Sequence, residues 1–371
     1  MYGDLPYSSL LPIECLAACF NDVTNSYKFY WFLAILENIH KGTDSRIFLN
    51  DLIAEMIASV WYPSNYFRLS FGKQDRLGNL ALQLATSNNL SMDAPKNKIK
   101  ETILRNLKAN TPIGREIKKL GDYVPYRFLR PFFPELRGLL DSQVNAKIMA
   151  LSEERFTSPS PCLYRFVRPT QESIELHPDW IDYLKKHFVI LREFCLWNLL
   201  NYLQRNNPNV PNLASKLFEP QERDLNKARI FWRTALQVLG KIKCIYSGQE
   251  VPHSGFSLDH FLPWRFVTHD LIWNIVPTLR SVNAAKSDQI PDLNRYFEGF
   301  AHIQYEAFQA VAAQGRETLL EDYVLLFRTS NVGFLRSWLL AEFKEKLFRE
   351  IAPQVQIARN MGFQTDWRYP A

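Results

Sequence analysis

Residues 244–292 read CIYSGQEVPHSGFSLDHFLPWRFVTHDLIWNIVPTLRSVNAAKSDQIPD, and they break the pattern of everything around them. Apolar residues stop recurring at helical steps, Gly248, Pro252, Gly255, Pro263 and Pro277 punctuate the run, and two short β-prone pieces stand at FSLDHF and LIWNIV. One helical piece follows over 281–288. The order strand, loop, strand, helix predicts a small α+β core set into a chain that reads as helical on both sides.

Outward from this core the helical period returns. On the N-terminal side a helix is expected over 27–39, where Phe29, Phe32, Leu33 and Leu36 follow three- and four-residue steps, Asn25 or Ser26 caps the start, and His40, Lys41 and Gly42 end it. Further helices are expected over 51–60, 75–85 and 99–107, before Pro112, Gly114, Gly121 and Pro125 interrupt the pattern. The Pro- and Ser-rich TSPSPC at 157–162 and the β-prone run LYRFVR, stopping at Pro169, mark a boundary. A long helix over 180–203 carries Leu184, Phe188, Leu191, Cys195, Leu199 and Tyr202, and NNPNVPN at 206–212 ends it. Another runs over 223–239 to Gly240, and helices resume beyond Asp292 to 358, broken near Gly315 and over 330–333. Four regions result: a helical N-terminal domain at 1–150 suited to DNA or a partner, a helical middle at 151–240, the α+β core at 241–300, and a C-terminal helical region at 301–371 packing on the rest.

Composition sets the outer limits. In 371 residues, 47% hydrophobic, 14% aromatic and 22% charged content excludes wholesale disorder and collagen-like repeats. The longest apolar run, 29–36, is far below the ~20 residues a bilayer-spanning helix needs, so no membrane association is expected. The opening MYGDLPYSSLLP lacks the basic and apolar parts of a secretory signal, and a cytoplasmic protein is expected. Cys15, Cys19, Cys162, Cys195 and Cys244 include no CxxC pair, which argues against a disulfide framework; Cys15 and Cys19 read as small buried hydrophobes. The net charge of +6 (44 basic against 38 acidic residues) is concentrated over 96–147, where twelve Lys or Arg face five Asp or Glu. Such a block is suited to a polyanion, or is a solvated face.

Within 244–292 the set Asp259-His260, Asn274 and Asn283, spaced 14 and 23 residues from His260, resembles the HNH nuclease family. The strings DHxxPW and NxVPTxRxxNxxKSD carry the likeness, and Lys286, Ser287 and Asp288 extend it to the HNH domains of CRISPR effector nucleases, where the last motif residue is also Asn. The likeness covers about 50 of 371 residues. It implies a mainly α protein with an embedded α+β ββα-metal core, an Asp-His pair ending the first strand, an Asn in the second strand that orders the loop and the base, and an Asn on the helix. It also implies a metal-dependent endonuclease leaving 5′-phosphate and 3′-hydroxyl ends.

The residue types suit that chemistry independently. Asp259 and the amide oxygen of Asn283 are hard donors for Mg²⁺ or Mn²⁺, which keep several waters and take substrate phosphate. The His260 imidazole is suited to take a proton from attacking water near neutral pH. An Asp-His pair on a regular strand points to opposite faces, so the strand must end or twist there, and Pro263 with the loop through Asp270 supplies the break. Lys286, one helical turn after Asn283, is placed to meet phosphate. Trp264 and Arg265 either pack under the loop or contact DNA; His269 is a further phosphate candidate, and Lys118, Lys119, Arg127 and Arg130 are candidates for a cationic track. Cys244 opens the segment without a second Cys within five residues, so structural zinc is not expected. The expected partners are DNA and either a protein encoded nearby or a second copy of the chain, in restriction or antiphage defence. Two other readings stay open: a nucleic-acid-binding or scaffold subunit that keeps the fold without turnover, and a toxin-like unspecific nuclease.

Overall fold

The structure is a computed structural model and describes residues 5–21, 23–42, 44–167, 172–220 and 222–370. The chain divides into two compact units, Met1–Pro208 with Lys216–Glu219, and Asn209–Ser215 with Pro220–Ala371. The expected regions 1–150 and 151–240 are thus not separate: the first unit takes both as far as 208. Among the described residues no helix is long and apolar enough to cross a membrane.

The first unit is built on the helix Tyr27–His40, which packs against Leu49–Trp61 and Phe188–Asn206. Phe29, Tyr30, Trp31, Phe32, Ala34, Ile35, Leu36 and Ile39 are all buried, so this helix is enclosed on most of its circumference rather than being amphipathic. Ser26 does occupy the cap position, but its side chain makes no cap bond; its backbone N–H instead donates to Asp75 Oδ2 at 2.6 Å. The region expected as one helix over 180–203 is two, Pro178–Lys186 and Phe188–Asn206, parted at His187 (φ −110°, ψ 19°). A three-stranded antiparallel sheet joins distant parts of the sequence. Strand β1 (Arg46–Phe48) and β2 (Tyr164–Phe166) flank the central β3 (Ser173–Leu176), with Ile47 opposite Ile174 and Tyr164 opposite Leu176. β2 is the core of the expected LYRFVR strand, whose end at 168–169 lies outside the described residues.

Part of the basic block is absorbed internally. Glu55, only 1% exposed, is paired with Lys96, with Lys100 at 2.7 Å and with Lys41 at 3.7 Å. Burial alone would raise this carboxyl, but Lys96 and Lys100 outweigh it and hold it down at about 2. A carboxyl depressed below its unfolded range stabilises the fold above pH ~4.5 and loses that contribution as pH falls toward 2. Glu55→Gln is therefore expected to cost about 2–3 kcal/mol at pH 7. Urea midpoints should show the gap from wild type shrinking as pH falls through this window; a gap independent of pH would contradict the assignment.

In the second unit the helices Asn226–Leu239, Leu293–Ala313 and Leu340–Asn360 surround one apolar core. Against them lies a two-stranded antiparallel hairpin, β4 (Ser257–His260) and β5 (Ile275–Thr278), in the register Ser257↔Thr278, Asp259↔Val276 and His260↔Ile275. A hairpin alone is marginal in water. This one is pinned from behind: Trp232 Nε1–H donates to Ile275 O at 3.0 Å, Gln304 Nε2–H donates to the same carbonyl at 2.9 Å, and the Phe261 and Phe300 rings stack at 4.0 Å. The short helix Arg280–Lys286 then completes the expected strand, loop, strand, helix order. Residue 300 is no boundary, because Leu293–Ala313 runs through it and its Gln304 braces β5.

Candidate active site

Strand β4 ends at His260, so its last two side chains leave on opposite faces and meet different partners. Asp259 is 3% exposed; its Oδ1 lies 3.1 Å from Lys286 Nζ and its Oδ2 accepts a 2.6 Å hydrogen bond from the Tyr246 hydroxyl. Burial first, and the neighbouring Asp259 charge second, push the Tyr246 phenol well above its ordinary range, which keeps it a donor. Lys286 is fully buried, and its ammonium also donates to His260 O at 2.7 Å. Burial draws the Lys286 ammonium below the usual lysine range, opposed by the Asp259 carboxylate. The expected outward contact of Lys286 with phosphate is not met here: its ammonium is directed inward, tying the helix Arg280–Lys286 to the end of β4.

His260 turns to the loop. Its Nε2 lies 2.8 Å from Asp270 Oδ1, and Asp270 Oδ2 in turn accepts the Asp224 backbone N–H at 3.1 Å. A carboxylate on Nε2 holds the proton there in the neutral ring and leaves Nδ1 as the basic nitrogen. Asn274 occupies the short 3₁₀ turn Ile272–Asn274 just before β5, not the strand itself. It is fully buried, accepts from Leu262 N at 2.8 Å and donates to Leu262 O at 2.9 Å, bracketing the backbone of one loop residue. These bonds hold Leu262 in the loop, and ordering the loop is the part the resemblance implies for this residue. The loop is further held by Ile272 N–H donating to Asp322 Oδ2 at 2.8 Å.

Asn283, half-buried on the helix Arg280–Lys286, donates through Nδ2 to Ser257 Oγ at 2.8 Å and to Leu258 O at 3.2 Å. This orients its carboxamide with the amide nitrogen against β4. Asn283 thus lies against the start of β4, while Asp259 and His260 close its other end with side chains on opposite faces. Among the described residues no group of three or more His, Cys, Asp or Glu could hold a metal ion. The hard donors of the motif are the Asp259 carboxylate and the Asn283 carboxamide oxygen, and a cation taking the first would have to displace the Lys286 ammonium or the Tyr246 hydroxyl from it.

The other candidates are placed differently. Arg265 is buried, ion-paired with Asp288 and set over the Phe363 ring at 5.8 Å, so it ties the loop to the segment after the helix rather than facing DNA. His269 lies against Trp273 with centroids 5.3 Å apart and accepts from Leu271 N at 3.4 Å, an arrangement internal to the loop. Trp264 sits under the Arg223 guanidinium at 5.2 Å. Lys118, Lys119, Arg127 and Arg130 belong to the first unit. Cys244 Sγ lies 3.0 Å from Thr278 Oγ1 as a buried thiol. Tyr246 and Asp270 escape the sequence reading; a loop acid ten residues beyond the histidine is the available signal for Asp270, and nothing in the pattern singles out Tyr246.

Residues 244–292 match the family model described as HNH endonuclease. No curated protein and no solved structure matches the chain.

Proposed function

From an HNH endonuclease domain at residues 244–292, we propose that this protein hydrolyses DNA phosphodiester bonds with the help of Mg²⁺ or Mn²⁺. The observation that carries the reading is the HNH endonuclease match over residues 244–292, within which Asn283 is hydrogen-bonded onto β4, Asp259 and His260 close that strand, and the His260 ring lies against Asp270. Asp259 and Asn283 would hold the ion, which when bound supplies charge stabilisation for the phosphate and the leaving oxygen. His260 Nδ1 takes the proton of the attacking water. Asp270 holds the ring in the tautomer that leaves this nitrogen basic, and Asn274 keeps the loop that carries Asp270 in place. The products are a 5′-phosphate and a 3′-hydroxyl end.

Nicking of supercoiled plasmid by the purified protein tests this: cutting with Mg²⁺ or Mn²⁺ that stops in EDTA is expected, and no cutting with any divalent cation would overturn it. Asp270→Asn should lower the nicking rate about 10–100-fold without loss of DNA binding, because the amide no longer holds the tautomer; full activity would remove Asp270 from the scheme. The ammonium seated against Asp259 favours a second reading, in which the domain grips nucleic acid without turnover. Tight binding with no cleavage would establish that alternative. We place the activity in the cytoplasm in restriction or antiphage defence, by analogy with the frequent use of such modules there. A protein encoded nearby or a second copy would supply the second centre that double-strand scission generally requires.

A further inference from the structure

We propose that the first unit carries a cavity for a nucleotide-class ligand, a phosphate joined to a flat ring system, lined by the start of helix Tyr27–His40, Arg76 and the chain from Glu116 to Arg130. This proposal does not rest on the nuclease reading. The cavity has a volume of about 540 Å³, within the range of small-molecule sites.

Its charge is one-sided. Lys28, Arg76, Lys119, Arg127 and Arg130 line it, against the single carboxylate of Glu116 among the lining residues. Glu116 is shared by Arg76, at 2.8 Å, and Lys119. Arg127 leans on Asp141 at 2.9 Å, a carboxylate 81% exposed and so a weak partner. Lys28 and Arg130 have no ion-pair partner among the described residues. Burial first, and the Arg130 charge with it, draw the Lys28 ammonium below the usual lysine range. Five cations on a concave surface, three of them sharing only Glu116 and the exposed Asp141, leave an excess of positive charge, the electrostatic signature of an anion site.

The remaining wall is apolar and aromatic: Val23, Leu80, Leu120 and Val124, with Tyr27 and Tyr123. A bare inorganic anion would leave that surface bare, whereas a nucleotide uses both halves through ring contacts and a charged phosphate. Several other cations of the basic block are committed elsewhere or lie outside the lining. Lys96 and Lys100 are held on Glu55, Arg115 donates to Asn110 O at 2.8 Å, and Lys118 is outside the lining.

Calorimetry on the full chain with ATP and AMP, beside inorganic phosphate and a single-stranded oligonucleotide, tests the proposal. Saturable binding of ATP or AMP is expected, tighter than that of phosphate. Arg130→Gln at the exposed rim should weaken it about tenfold or more, and Lys28→Gln likewise, while Lys98→Gln, exposed and outside the cavity, should leave it unchanged. Thermal melting checks that each variant is folded; should Lys28→Gln not fold, Arg130→Gln decides. No saturable nucleotide binding up to millimolar concentration, or affinity that Arg130→Gln leaves intact, would overturn the proposal. So would oligonucleotide binding that depends on Arg130 in the absence of any mononucleotide binding, which would make these cations a strand-backbone contact.

Discussion

His260→Ala is expected to slow plasmid nicking by about 10²–10⁴-fold, the range that a positioned general base contributes. The variant should remain folded, because what His260 gives to the architecture is mostly its backbone. Its carbonyl accepts the Lys286 ammonium at 2.7 Å and its strand position pairs with Ile275, and both survive the loss of the imidazole. What disappears is the ring held at 2.8 Å by Asp270. The measurement is the single-turnover nicking rate at saturating Mg²⁺, with DNA affinity measured in parallel. A folded His260→Ala protein that cuts within tenfold of wild type would place the base elsewhere.

Lys286→Met is expected to destabilise the second unit by about 3–5 kcal/mol, the cost of stranding one partner of a buried ion pair. The ammonium is fully buried and Asp259 is 3% exposed, so neither charge has water to fall back on. With Lys286 gone, Asp259 keeps the Tyr246 hydroxyl and nothing positive. The helix Arg280–Lys286 would also lose its link to the His260 carbonyl, loosening the element that presents Asn283. Pairing the change with Asp259→Asn removes both charges, and the double variant should recover part of the loss. A double-mutant cycle of urea midpoints reads this coupling; a coupling near zero, or a cost below 1 kcal/mol for Lys286→Met, would show that the pair does not anchor the site.

The core motif was legible because its chemistry depends on few residue types at set distances. Asp259, His260 and Asn283 were named through the resemblance their motif carries, and a strand ending at the Asp-His pair was expected from the alternation of side chains across a strand. The helices were legible wherever one face is apolar and the other polar: the expected 51–60 and 99–107 appear as Leu49–Trp61 and Lys96–Lys108. Strands β1 and β3 were not, since three or four residues carry no readable period and their pairing joins positions more than 120 residues apart. The break at His187 was hidden for the opposite reason: apolar residues keep helical spacing through it.

Charge was the least legible property. In the sequence Lys286, Arg265, Lys96 and Lys100 are simply cations near a candidate site or in a basic block, all free to meet phosphate. Folding gives each a carboxylate: Asp259, Asp288 and, for the last two, Glu55. By itself the amino-acid order determined which donors exist and that they recur in the spacing of a ββα core. Which nitrogen of His260 is held, which ammonium turns inward, and which cations are ion-paired among the described residues were decided only by tertiary structure, because an ionisable group's role depends on the distance and burial of partners remote in sequence.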